Sequence, residues 1–309
     1  MNELNTIQTP ARQDLRELFN TWIMFLDASD KTVETYTRAV TQLLKYLSSK
    51  GIKTPQKADL LSYKEHLASA GKKPSTITAY IMAAKQFFKW TEEEGLYPDI
   101  ARNVKGVKVS QEHKKDALTK AQAKRLLQAI DRSTNKGKRD YAIIVLMITG
   151  GIREIEISRA DIDDVRAFGD HNAIFVQGKG KTEKDEPVIL SEATEAALID
   201  YVRSKAPVRA KDPLFTSTAH RNAGERLTTK SISRLVKDYL KEAGIDSERI
   251  TAHSLRHTAA TEALKAGATI QEARQFMRHS NINTTLIYAH NLEKQDNPCS
   301  NLIDKSLFK

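Results

Sequence analysis

The sequence predicts a mainly α chain with a small β-sheet, divided into two domains. Three observations carry this. The 309 residues exceed the length of one ordinary domain, about 100–200 residues. Apolar residues recur at helical spacing along most of the chain. The period changes between Ile162 and Leu190, where Ala173-Ile174-Phe175-Val176 and Pro187-Val188-Ile189-Leu190 flank a Gly/Lys-rich turn, GKGKTEKD, as paired strands do.

Taken in order, Leu15, Leu18, Phe19, Trp22, Phe25 and Leu26 mark a first helix, and Asp30 is expected to cap the second. Val33, Tyr36, Val40, Leu43, Leu44 and Leu47 stripe that second helix up to Gly51. A third is predicted from Lys57 to Ser69, stopping near Gly71. A fourth opens at Pro74-Ser75, carries Ile77, Ile81, Ala84, Phe87 and Phe88, and ends near Gly95 and Pro98. These four make one helical unit, residues 11–98, behind a short tail at 1–10. The Lys-rich stretch PDIARNVKGVKVSQEHKKD lacks an apolar stripe, so 99–116 reads as a linker suited to a phosphate backbone. In the second domain, 117–298, helices are expected at Thr119–Asp131, Lys138–Ile148, Ser191–Ser204, Thr229–Ala243, Ser254–Ala266 and Thr269–Arg278, with the sheet among them. The tail at 299–309 places Leu302, Ile303, Leu307 and Phe308 at helical spacing.

Composition bounds the partner. Forty-nine Lys plus Arg against 39 Asp plus Glu leave a net charge of +10. That excess favours a polyanion, nucleic acid before an anionic membrane surface. No run approaches the roughly 18 apolar residues of a membrane span, and MNELNTIQTP has no signal-peptide core. Cys299 is the only cysteine, which excludes an intrachain disulfide and a cysteine-built zinc site and fits a reducing cytoplasm.

Three stretches gather groups suited to phosphate chemistry: Thr149-Gly150-Gly151-Ile152-Arg153-Glu154-Ile155-Glu156, then His253-Ser254-Leu255-Arg256-His257, then His279 with Tyr288 nine residues on. Two guanidiniums can clamp the non-bridging oxygens of a phosphodiester through forked hydrogen bonds. A tyrosine hydroxyl can attack phosphorus, provided cations or a base favour its phenolate. The Lys-rich turn offers an acid for the leaving oxygen. His253 and His257 have the i,i+4 spacing of a metal pair, but Ser254 stands where a zinc-protease helix carries glutamate, so His257 is read as structural.

The order Arg, turn Lys, His-x-x-Arg, His, Tyr resembles the tyrosine recombinases, the phage-integrase family, and the length is similar to that of Xer-like two-domain members. The resemblance spans nearly the whole chain and is strongest in TAHSLRHTAAT and RHSNINTTLIYAH. It implies a core-binding helical domain followed by an α+β catalytic domain. It makes Tyr288 the nucleophile of a 3′-phosphotyrosyl intermediate, with Arg153 and Arg256 on the phosphate. Lys179 becomes the general acid for the 5′-oxygen, Lys181 on the same turn being the alternative. His253 would bond the phosphate and assist proton transfer, and His279 would position phosphate and nucleophile. Glu156 occupies the place of the family's acidic residue, whereas Glu154 stands where an apolar residue is common.

The resemblance further implies double-stranded DNA as partner, a synaptic tetramer, docking of the 299–309 tail on a neighbouring protomer, and no metal or nucleotide cofactor. Lys31, Arg38, Lys72, Lys73, Lys85 and Lys89 are candidate DNA contacts of the first domain. A protein that binds DNA without cutting it, and a type IB topoisomerase, are the rival functions. The intact residue set argues against the first. Dependence on a specific site and a synapse separates the second.

Overall fold

The computed structural model describes residues 15–108, 116–178, 181–205, 207–295 and 298–308, without the side chains of 294, 295 and 301. These residues form two compact units, one within 1–111 and one within 112–309.

The first unit holds α1 (Leu15–Phe25), α2 (Asp30–Ser49), α3 (Lys57–Ser69) and α4 (Pro74–Glu93). Their apolar stripes meet in one core, where Trp22 packs edge-on against Phe87 at 5.4 Å and Val40, Leu60, Phe87 and Phe88 are fully buried. Ser29 takes the cap position of α2, and Asp30 falls in the first turn, where its carboxylate still complements the helix N-terminus. After α2, Gly51 turns left-handed at φ 66 and Ile52 N–H closes back on the Leu47 carbonyl, the C-terminal stop that glycine makes cheap.

The expected linker begins too early. Ala101 and Val104 are fully buried in the first unit's core, and Thr78 Oγ1 both donates to the Val107 carbonyl (3.0 Å) and accepts its N–H (3.1 Å). Residues 99–107 therefore pack on the helices. The remaining expected linker residues, 109–115, lie outside the described ones. Asp116 is bonded into the second unit through Arg249 (2.7 Å).

The second unit contains α5 (Lys120–Gln128), α6 (Asn135–Thr149), α7 (Glu154–Arg159), β1 (Val165–Phe168), β2 (His171–Val176), β3 (Glu186–Ile189), α8 (Glu192–Lys205), α9 (Thr229–Glu242), α10 (Ala252–Lys265), α11 (Ile270–Phe276), α12 (Asn283–Gln295) and α13 (Cys299–Phe308). The sheet is an antiparallel meander, β1-β2-β3, with Ile174 opposite both Val165 and Val188. Its buried face joins Ile143, Ile144 and Leu146 of α6 and Leu198 of α8 in one core. Helix α6 starts a turn earlier than its apolar stripe because Thr134 caps it, accepting from Gly137 N–H at 3.0 Å. A Cβ at Gly137 would collide with the Asp131 carbonyl. No described helix is long and apolar enough to cross a membrane.

Candidate active site

Between α6 and α7 the chain turns through Gly150 and Gly151. Gly151 adopts φ 56, which favours glycine, and a Cβ there would sit tightly at 3.0 Å from Met277 Sδ. The turn aims the Gly151 carbonyl inward and delivers Arg153 to the N-cap of α7. Arg153 donates from its backbone N–H to Glu156 Oε2 (2.8 Å) and from Nη1 to Glu156 Oε1 (2.6 Å). Glu156 is almost fully buried. Burial alone would raise its carboxyl, but Arg278 and Arg153 outweigh that and hold it below its usual range. Glu154 at the start of α7 is bonded by Ser233 of α9, which accounts for a charged residue at that position.

Helix α10 places His253, itself exposed, in its otherwise buried first turn and Arg256 one turn further on, 2% exposed. Two backbone carbonyls, Gly151 and Met277, hold the Arg256 guanidinium. No carboxylate pairs with it among the described residues, so its charge remains available to an anion. Burial, reinforced by Arg153 and Arg278, pushes it down to about 9, which leaves it charged at neutral pH.

Tyr288 of α12 is buried, 5% exposed, in a row of rings. His257 lies 5.2 Å from it, His279 stacks on it at 6.4 Å, and His253 meets His257 edge-on at 4.6 Å. His257, read as structural in the sequence, thus fills the space between His253 and Tyr288. Burial pushes the Tyr288 hydroxyl up to about 12 against the pull of Arg256 and Arg153, so the phenol is neutral in the free protein. His279 Nδ1 shares a 3.0 Å hydrogen bond with Thr285 Oγ1, itself fully buried.

Burial, with Arg256 and Arg153 nearby, pushes His279 down to about 4 from its ordinary 6.5. Its imidazole is therefore neutral at pH 7. An unfolded histidine takes its proton near 6.5 and the folded one only near 4, so the unfolded state binds more protons between them. Stability should fall as pH drops through that window. Thermal melts check this: on acidification from pH 7 to 5, wild type should lose more Tm than His279→Gln.

The candidate acid, Lys179, lies outside the described residues. Lys181 is directed to Asp185 (3.0 Å) and Glu186 (3.2 Å), and bonding to those carboxylates raises its pKa. In the first unit, Lys31 and Arg38 both pair with Glu34, Lys89 pairs with Glu93, Lys72 and Lys73 are exposed, and Lys85 is half-buried. Asp161, Asp163 and Asp164 bring carboxylate oxygens within 4.8 Å of one another. Lys184, Arg226 and Lys211 already neutralise them.

Sequence reasoning missed Arg278. Its Nη2 donates to Glu156 Oε2 (2.9 Å) and to the Gly151 carbonyl (3.2 Å), so it completes the corner built by Arg153, Glu156 and Arg256. Its position beside His279 was the available signal.

Residues 116–295 match the phage integrase family, and residues 15–96 match the phage integrase N-terminal SAM-like domain. Tyrosine recombinase XerD of Listeria innocua is 26% identical over 89% of this chain and 94% of its own length. Tyrosine recombinase XerC of Caldanaerobacter subterraneus is 37% identical over 56% of this chain, a match that spans 46% of that protein. The fold is similar to that of the XerH site-specific recombinase bound to palindromic difH substrate, with TM-score 0.71 and 22% identity over 85% of this chain and 78% of that one. With the family matched across the stretch that carries Arg153, Arg256 and Tyr288, the chain belongs to the phage integrase family and is a site-specific tyrosine recombinase, an enzyme that breaks and rejoins DNA.

Proposed function

We propose that Tyr288 attacks a phosphodiester of a double-stranded recombination site, forming a 3′-phosphotyrosyl bond while the P–O5′ bond breaks. The observation that carries this reading is the placement of a buried tyrosine beside Arg256, whose guanidinium is held by carbonyls and keeps its charge for phosphate. Arg153 and Arg256 stabilise the charge that develops on the non-bridging oxygens. The phenol starts neutral, so its proton must leave as the bond to phosphorus forms. His253 assists that transfer, and neutral His279 orients nucleophile and phosphate. Lys179 protonates the departing 5′-oxygen. The phosphoester bond energy stays in the protein–DNA link, so a 5′-hydroxyl of the partner strand can reverse the step.

The protein is expected to act in the cytoplasm on chromosomal or mobile-element DNA, as four protomers on two duplexes. A nicked suicide substrate tests the chemistry: covalent protein–DNA complex should accumulate in EDTA without nucleotide, with the adduct mapping to Tyr288. Cleavage lost on chelation and restored by a divalent ion would sink the mechanism.

The exposed stripe of α13 supports coupling between protomers. Leu302, Ile303, Leu307 and Phe308 are 57–79% exposed in the single chain. Burying each would contribute roughly 1.5–3 kcal/mol before association costs. Deleting residues 301–309 should leave half-site binding intact and weaken cooperative filling of the full site, read by gel shift. Unchanged cooperativity and recombination would make the segment a terminus only.

A further inference from the structure

Among the described residues, Arg278 is the one non-glycine residue with left-handed backbone, φ 51. That conformation crowds any Cβ, and the buried Nε of the side chain has no hydrogen-bond partner, so the residue carries two local costs. A task performed by the rest of the guanidinium would offset them. Nη1 donates to the Phe276 carbonyl (3.1 Å) and Nη2 to the Gly151 carbonyl (3.2 Å), which pins the connection between α11 and α12 to the turn ahead of α7. The same Nη2 donates to Glu156 Oε2 at 2.9 Å.

The backbone of this connection is held by arginines from 277 onward. The Met277 carbonyl accepts from Arg256, the Arg278 carbonyl from Arg153 Nη2 (3.4 Å), and those of His279 and Ser280 from Arg274 (3.1 and 3.2 Å). Arg153 is thereby tied to Arg278 twice. Its Nη2 meets the Arg278 carbonyl, and its Nη1 meets Glu156 Oε1 at 2.6 Å while Arg278 holds the other oxygen of that carboxylate. A carboxylate gripped on one oxygen is restrained from rotating, so the second oxygen offers Arg153 a fixed acceptor. One carboxylate shared by two guanidiniums also leaves Arg153 charge to offer a phosphate.

We propose that Arg278 is a positioning residue for Arg153: its side chain fixes the carbonyl and the carboxylate that together aim the Arg153 guanidinium at the non-bridging oxygens. The role rests on the reading of Arg153 as a ligand of the transferring phosphate.

A double-mutant cycle on single-turnover cleavage by the full chain tests the link, using R153A, R278G and the pair at saturating protein. Glycine accepts the left-handed backbone, so R278G removes the guanidinium without adding strain. R153A should slow cleavage about 10²–10³-fold, the loss of a donor aimed at developing charge. R278G should slow it about tenfold, the cost of a misplaced group rather than a missing one. In the R153A background R278G should cost no more than about twofold, because the residue it positions is gone. Half-site affinity of R278G should stay within about twofold of wild type, since many phosphate contacts remain. On DNA whose scissile phosphate is a methylphosphonate, with no charged non-bridging oxygen, both single defects should shrink to about threefold or less, since a guanidinium has less charge to stabilise.

A tenfold cost of R278G in both backgrounds would overturn the link, and so would R278G cleaving within about twofold of wild type. An R278G defect undiminished on the methylphosphonate, where R153A is rescued, would do the same, because it would mark a general loss of structure. If R153A cleaves like wild type, the phosphate-ligand reading fails and the positioning role falls with it, whereas an additive cycle on a strong R153A defect sinks the link alone. Should R278G melt early, R278N, whose side chain also tolerates this backbone, replaces it in the cycle.

Discussion

Tyr288→Phe should abolish covalent capture of DNA and leave duplex binding nearly unchanged. The substitution removes one oxygen from a ring buried against His257 and His279, so packing is retained while the proposed nucleophile is lost. Duplex binding is expected to rest on many phosphate contacts, which do not need this hydroxyl. The buried hydroxyl, pushed up to about 12, also contributes little charge to the free protein. A denaturing gel after incubation with a suicide substrate, beside a gel shift on intact duplex, makes the measurement. A covalent band persisting in the variant would remove Tyr288 from the role.

Arg256→Ala has the second-largest expected effect, and it has two parts. Loss of a guanidinium aimed at developing charge should slow cleavage by about 10²–10³-fold or more. The same change strips the Gly151 and Met277 carbonyls of their donor, and each buried acceptor left unpaired costs roughly 1–3 kcal/mol, so Tm should fall as well. Arg256→Lys separates the two, because an ammonium keeps the charge but cannot fork between both carbonyls. It should melt closer to wild type and still cleave poorly. An Arg256→Ala protein that cleaves within about tenfold of wild type would show that this arginine does not serve the transferring phosphate.

Long amphipathic helices were readable because one stripe of side chains had to find one core: Val40, Leu43 and Leu47 on α2, and Ile77, Ile81 and Phe88 on α4, are all buried. The strand pair around GKGKTEKD was readable from the change of period. Strand β1 was not, since Arg166, Ala167 and Phe168 are exposed and present no alternation to detect. Helix α7 is too short for a stripe, and in α12 a polar residue, Thr285, takes a fully buried position. Ala101 and Val104 were hidden by their Lys-rich neighbours, although both are core.

At the site, residue type and order pointed to Arg153, His253, Arg256, His279 and Tyr288. Sequence could not tell which arginine is solvated and which is interred. Arg278 therefore looked like any surface arginine beside a histidine, and its tie to Glu156 appears only once three separate segments are folded together. Nor does sequence say which carboxylate each lysine of the turn will face. Lys181 is tied to Asp185 and Glu186, and Lys184 to Asp161 and Asp164.

The way Arg256 is held has a further consequence for the resting protein. Carbonyl dipoles fix the guanidinium but do not cancel its charge, and Arg153 and Arg278 share the single buried carboxylate of Glu156. Like charges thus press on one another where little water can screen them. A phosphate bound here as proposed would supply a counter-ion, so DNA should stabilise this corner by relieving part of that repulsion.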